Sequence, residues 1–119
     1  MNRSSGSAHP ECESGNFWIA AALLSLRLPF SKSLKDRRQV VRSLVDGARS
    51  RFAVSAADLG PDGVHTSAEL GFTAAGSSPS ELEERMRTLE KFLCQREEEG
   101  EFEILDFSPE VFNYGDTSN

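Results

Sequence analysis

Cysteine is scarce: Cys12 and Cys94 are the only two in 119 residues. Two thiols build neither a disulfide framework nor a cysteine-based zinc site. Histidine is as rare, and neither His9 nor His65 stands at motif spacing from a cysteine, so no Cys–His nucleophile pair is written into the chain. Excess positive charge is missing as well. With 13 Lys and Arg against 19 Asp and Glu the net charge is −6, which excludes a uniformly basic nucleic-acid coat. The longest apolar run covers residues 17–24, far short of the about 20 residues that a membrane helix needs. Hydrophobic content is 38%, low but enough for one core, so wholesale disorder is not expected. The length is that of one domain.

Both ends read as tails. Residues 1–16 hold four Ser, two Gly and a Pro, with no large aliphatic beyond Met1, and cannot offset the entropy of being ordered. Glu11 and Glu13 precede the apolar stretch where a signal peptide carries positive charge, so the expected address is the cytoplasm. Asn2-Arg3-Ser4 matches a glycosylation sequon that has no export signal to serve. Residues 108–119, with Pro109 and Gly115, are expected to be a partly ordered C-terminal tail, Val111, Phe112 and Tyr114 being able to fold back. The domain is expected over 17–107.

Within it, residues 17–28 end in alternation, Leu24, Leu26 and Leu28 on one side and Ser25 and Arg27 on the other. That is a strand with one buried face. Its first half is apolar on both sides, which suits a central strand or one whose outer face meets a partner. Ser33-Leu34-Lys35-Asp36 is a capping-box pattern opening a helix to about Phe52, with Val41, Leu44, Val45, Ala48 and Phe52 on one face. Residues 54–59 read as a strand, Gly60-Pro61-Asp62-Gly63 as a turn, and 66–75 as a strand with Ala68, Leu70, Phe72 and Ala74 inward. Ser78-Pro79-Ser80-Glu81 starts a second helix, whose stripe is Leu82, Met86, Leu89 and Leu93 and whose stop is Gly100. Residues 102–107 form the last strand. The order β-α-β-β-α-β predicts an α+β, ferredoxin-like domain: a four-stranded antiparallel sheet with both helices on one face. The expected core adds Ile104 to these inward residues.

The segments Leu26-Arg27-Leu28-Pro29, Ser33-Leu34-Lys35-Asp36-Arg37-Arg38-Gln39-Val40-Val41-Arg42-Ser43-Leu44 and Arg51-Phe52-Ala53-Val54-Ser55 resemble the YlxP family. So do Ala56-Ala57-Asp58 and Ala68-Glu69-Leu70-Gly71-Phe72. The Ser-Leu-Lys-x-Arg-Arg block after a Leu-x-Leu-Pro strand end is the specific part of a likeness that covers about 18–107. The family consists of small bacterial cytoplasmic proteins of unassigned biochemical function. The resemblance implies a ferredoxin-like fold and, because the genes often lie beside those for translation and ribosome maturation factors, a translation-linked role. The chain departs from the family pattern before the third strand, where Asp62-Gly63-Val64-His65-Thr66 stands in place of a Gln-Asp-aromatic-Gln segment.

Chemical motifs are incomplete. Gly71-Phe-Thr-Ala-Ala-Gly76-Ser77-Ser78 imitates half a phosphate loop, but Ser77 stands where the lysine belongs. Glu97, Glu98 and Glu99 are consecutive on a helix, point in different directions and do not converge on an ion. Cys94, next to Leu93, reads as packed rather than reactive. No catalytic residue, metal or cofactor is therefore expected, and the chain reads as a non-enzyme. The open sheet face lacks the aromatics of an RNA-stacking platform, although Ile19, Ala21 and Leu23 give it an apolar stripe that suits a homodimer or another protein.

Charge layout carries the remaining expectation. Residues 32–51 contain Lys32, Lys35, Arg37, Arg38, Arg42, Arg49 and Arg51 against two acids, whereas 81–110 contain eleven acids against four bases. Lys35, Arg38, Arg42 and Arg49 recur at helical spacing and form one stripe, with Arg42 and Asp46 placed to pair. All seven bases are candidates to meet ribosomal RNA or a ribosome or translation factor.

Overall fold

Six elements follow one another in the order β-α-β-β-α-β, in a computed structural model that describes residues 16–115. They are β1 (Trp18–Arg27), α1 (Leu34–Phe52), β2 (Ser55–Gly60), β3 (Ser67–Gly76), α2 (Pro79–Glu97) and β4 (Glu103–Asn113). The strands make one antiparallel sheet in the order β2-β3-β1-β4. This is the ferredoxin-like α+β arrangement. The expected N-terminal tail, with His9 and Cys12, lies outside the described residues apart from Asn16.

Local chemistry sets the helix ends. Ser33 is the N-cap of α1 and its Oγ accepts from the Asp36 N–H at 3.0 Å, while the Asp36 carboxylate accepts from the Lys32 N–H at 2.9 Å. Asp36 thus reaches back as the glutamate of a capping box does, but to the N–H of the residue before the cap. Ala53 ends α1 in the left-handed region at φ 51°, and Arg85 of α2 donates to its carbonyl at 3.2 Å. Ser78 caps α2, with Pro79 at the first helical position. After α2, Gly100 adopts φ +91° and its N–H donates to the Glu97 carbonyl.

The core is the layer between the sheet and the helices. Leu24, Leu26, Leu28, Val41, Leu44, Leu70, Phe72, Leu82, Met86, Leu89 and Leu93 are all buried, and Phe52 and Ile104 are partly buried against them. Gly47 sits where α1 crosses Phe92: a Cβ there would lie 2.7 Å from the Phe92 Cζ. The ring is also edge-on to Phe52, with centroids 5.4 Å apart. Helix contact is this close only because residue 47 has no side chain.

One boundary differs from the sequence reading. The last strand does not stop near Phe107 but continues to Asn113, paired with β1 along its length. Pro109 is accommodated because β4 is an edge strand, where a residue without an N–H forfeits no ladder bond on its open side. Phe107 and Val111 pack on the core, and Phe17 stacks on Tyr114 at 4.9 Å. Residues 108–113 belong to the sheet rather than to a fraying tail.

Candidate functional site

Helix α1 lies over the β2–β3 side of the sheet and α2 over the β1–β4 side. Gly47 and Ser43 turn toward α2: Phe92 packs at Gly47 and Arg96 Nη2 donates to Ser43 Oγ at 2.6 Å. The opposite flank of α1 faces β2. There Arg49 Nη2 donates to the Ala56 carbonyl at 2.8 Å, and Arg38, Arg42 and Arg49 border a shallow depression of about 250 Å³ with Ala56, Ala57 and Asp58. Lys35 extends this line toward the helix start, where it flanks Arg38 and Arg42. Lys35, Arg38, Arg42 and Arg49 are therefore brought together, all exposed, as their spacing predicted. Lys32 is exposed in the loop before the helix.

Arg37 does not belong with them. It is buried, and its guanidinium is fully engaged inside the fold. Nη1 and Nη2 grip the two Asp58 oxygens at 2.8 and 3.0 Å, Nε donates to the Ser67 carbonyl at 2.9 Å, and Nη2 also donates to the Gly60 carbonyl at 3.0 Å. That bidentate hydrogen bond holds the Asp58 carboxyl below the usual carboxylate range and raises the Arg37 pKa further. Sequence reading counted Arg37 as a binding residue because it sits among other bases; the structure makes it a clamp between α1, β2 and β3. Arg51, the other candidate base on α1 outside the stripe, points to the α2 side, where its guanidinium lies 5.1 Å from the centre of the Phe92 ring.

Ion pairing separates the two sides of the molecule. Arg27, Arg85, Arg87 and Arg96 pair with Glu103, Glu81, Glu84 and Glu99. Among the described residues, Lys32, Lys35, Arg38, Arg42, Arg49 and Arg51 form no ion pair, and Arg42 and Asp46 do not close to ion-pair distance despite their spacing. The one other unpaired base among the described residues is Lys91. Uncompensated positive charge thus concentrates on α1, whereas the groove between α2 and β4, about 450 Å³, is lined by Glu83, Glu90 and Glu110 with Met86, Arg87, Pro109 and Val111.

The remaining chemical candidates stay apart. His65 lies in the turn before β3 with its Nδ1 buried and unpartnered among the described residues. Cys94 is exposed rather than packed; partial burial, reinforced by Glu90, Glu97 and Glu98, raises its thiol pKa and keeps it protonated. The glycine-serine turn before α2 closes on itself, with Ser78 Oγ accepting from the Glu81 N–H. Glu97 accepts from the Ile104 N–H at 2.7 Å and so fastens the end of α2 to β4, while Glu99 pairs locally with Arg96. Among the described residues no group of His, Cys, Asp and Glu is placed to hold a metal ion, and no helix is long and apolar enough to cross a membrane.

On the sheet's open face, Ile19, Ala21 and Leu23 point outward as expected. Gly71 of β3 faces outward beside them, as its alternation with Leu70 and Phe72 predicts, and the structure adds Leu59 and Phe112, which sequence reading did not place there. No curated protein matches the chain. Residues 19–108 match the family described as "Protein of unknown function (DUF503)", and with most of its length inside that match the chain belongs to this family.

Proposed function

We propose that this protein is a non-enzymatic binding protein that docks on structured RNA, ribosomal in the first instance, through the flank of α1 that faces β2. The observation that supports it is the concentration of unpaired cations on that helix while the arginines elsewhere are matched to glutamates. Lys35, Arg38, Arg42 and Arg49 follow one another along a stripe of some four turns, a length suited to tracking several phosphates rather than gripping one. Phosphate contacts of this kind fix position and carry no base readout. The acidic groove between α2 and β4 repels the same polyanion, so only one orientation is favourable. The YlxP resemblance supports a translation-linked, cytoplasmic setting, and the absence of aromatics at the outward positions of β3 argues against a stacking mode on the sheet.

Binding of the full chain to purified ribosomal particles, with and without ribonuclease, tests this reading. With about four phosphate contacts, log affinity should fall against log salt with a slope near −3 to −4. Arg38→Glu/Arg42→Glu/Arg49→Glu should abolish binding while the circular dichroism spectrum is retained. Equal binding by the triple variant refutes the proposal, and a ribonuclease-resistant stoichiometric complex assigns the stripe to an acidic protein instead.

A further inference from the structure

Phe30 stands apart from the other aromatic residues. It is 73% exposed, the highest value among the large hydrophobic residues described. Phe17 and Tyr114, the other two exposed rings, stack on each other, whereas Phe30 has no ring contact among the described residues. Local chemistry holds it out. Leu28 to Ser31 form a turn closed by the Ser31 N–H on the Leu28 carbonyl at 3.3 Å, with Pro29 and Phe30 at its corner. Before the corner, Leu28 is buried and its N–H donates to the Thr66 carbonyl at 2.8 Å. After it, Ser31 Oγ donates to the Ser33 carbonyl at 3.1 Å and the Lys32 N–H donates to Asp36 at 2.9 Å. Both stems of the turn are anchored and Pro29 fixes a backbone angle between them, so the ring is presented with little freedom left to lose on docking.

Beside the ring runs the outer ridge of α1. Phe30 borders a depression of about 370 Å³ with Asp36, Gln39, Ser43 and Glu101. Gln39 and Ser43 also border a second depression, of about 480 Å³, whose walls include Lys35, Arg38 and Arg42. The two therefore adjoin along the ridge, and they differ in character. The second carries three cations without ion pairs and suits phosphates. The first holds a ring beside carboxylates, which turn a phosphate away but accept from the amino groups of a base. Gln39 makes no side-chain hydrogen bond among the described residues, and its amide matches the edge of adenine in both donor and acceptor.

We infer that Phe30 is a stacking platform for one unpaired base of the bound RNA, with the neighbouring phosphates on Lys35, Arg38 and Arg42. This rests on the reading of α1 as an RNA-docking flank and deepens it, because it names the class of RNA: a folded RNA with a bulged or splayed-out nucleotide, not a fully paired helix. Bases within a helix are stacked on one another, and only an unpaired one offers its face to a side chain. Stacking releases no counterions, so the base site adds affinity without steepening the dependence on salt.

Fluorescence anisotropy with two labelled RNA hairpins, identical but for one bulged adenosine, tests this over a range of salt. The full chain should bind the bulged hairpin ~10-fold more tightly. Phe30→Ala, at an exposed position, should remove that advantage while the circular dichroism spectrum, the affinity for the paired hairpin and the salt slope stay as they are. Phe30→Trp should keep the advantage, and the fluorescence of the added indole should be quenched by the bulged hairpin alone. Arg38→Glu/Arg42→Glu/Arg49→Glu should abolish binding of both hairpins. Equal wild-type affinity for the two, with the triple variant inactive, overturns the base site and leaves the phosphate stripe standing. A loss at Phe30→Ala that is the same for both hairpins also overturns it, as does a loss of ribosomal-particle binding that persists after ribonuclease, which gives the ring to a protein. Wild-type protein that binds neither hairpin overturns the base site and the docking reading together.

Discussion

Replacing Arg37 by methionine is the most direct way to separate the fold's own arginine from those offered to a partner. Methionine keeps the length and apolar body of the side chain but removes all four hydrogen bonds to Asp58, Ser67 and Gly60. Two limits frame the cost. Breaking a fully buried ion pair costs about 3–5 kcal/mol, and an exposed pair contributes about 0–1 kcal/mol. Here the arginine side chain is 9% exposed and the aspartate 40%, so water can reach the abandoned carboxylate and much of the Coulombic loss is screened. A value of about 2–3 kcal/mol follows from that intermediate burial. For a domain of this size it corresponds to a fall in Tm of roughly 10–20 °C. Thermal and urea unfolding of Arg37→Met, set beside Arg38→Met on the exposed flank, measures the difference; Arg38→Met should stay within about 0.5 kcal/mol of wild type. Equal losses at the two positions, or a loss below about 1 kcal/mol at Arg37, refute the clamp.

Leu44→Ala removes a side chain with no solvent exposure and should cost about 2–5 kcal/mol in urea unfolding; an unchanged midpoint contradicts the α1 register. Asp58 has a carboxyl pKa lowered chiefly by its Arg37 hydrogen bonds, so it contributes stability that is present above the ordinary aspartate pKa of about 4. That contribution is lost as pH falls from there through the lower folded value, because the unfolded chain takes up the proton first. Asp58→Asn should flatten this part of the acid limb, and a variant whose stability falls as steeply as wild type below that pH removes Asp58 from the account.

What could be read from the residues alone was what short-range periodicity encodes. Ser33 and Ser78 announce both helices because a cap is a local hydrogen bond, and the alternation of Leu24, Leu26 and Leu28 fixes the buried face of β1 because period two has no other use there. The stripe of Lys35, Arg38, Arg42 and Arg49 was legible for the same reason. Arg37 was not: nothing in a run of bases tells which one turns inward, and its partners Asp58, Gly60 and Ser67 are 21 to 30 residues away. The end of β4 was hidden by Pro109, which reads as a breaker until its strand is known to be an edge. That depends on strand order, a property of the pairing and not of any one segment.

Strand order also explains why the two halves of the charge stay apart. In β2-β3-β1-β4 the element that follows β1 packs beside β2, and the element that follows β3 packs beside β4, so a basic first helix and an acidic second helix are carried to opposite edges of one sheet. Arg96 bridges the helices through Ser43 and stacks on Phe92, which seats its charge at the seam without neutralising the exposed flank of α1. That flank and the open face lie on different sides of the sheet. A polyanion held along Arg38, Arg42 and Arg49 would therefore leave the open face uncovered.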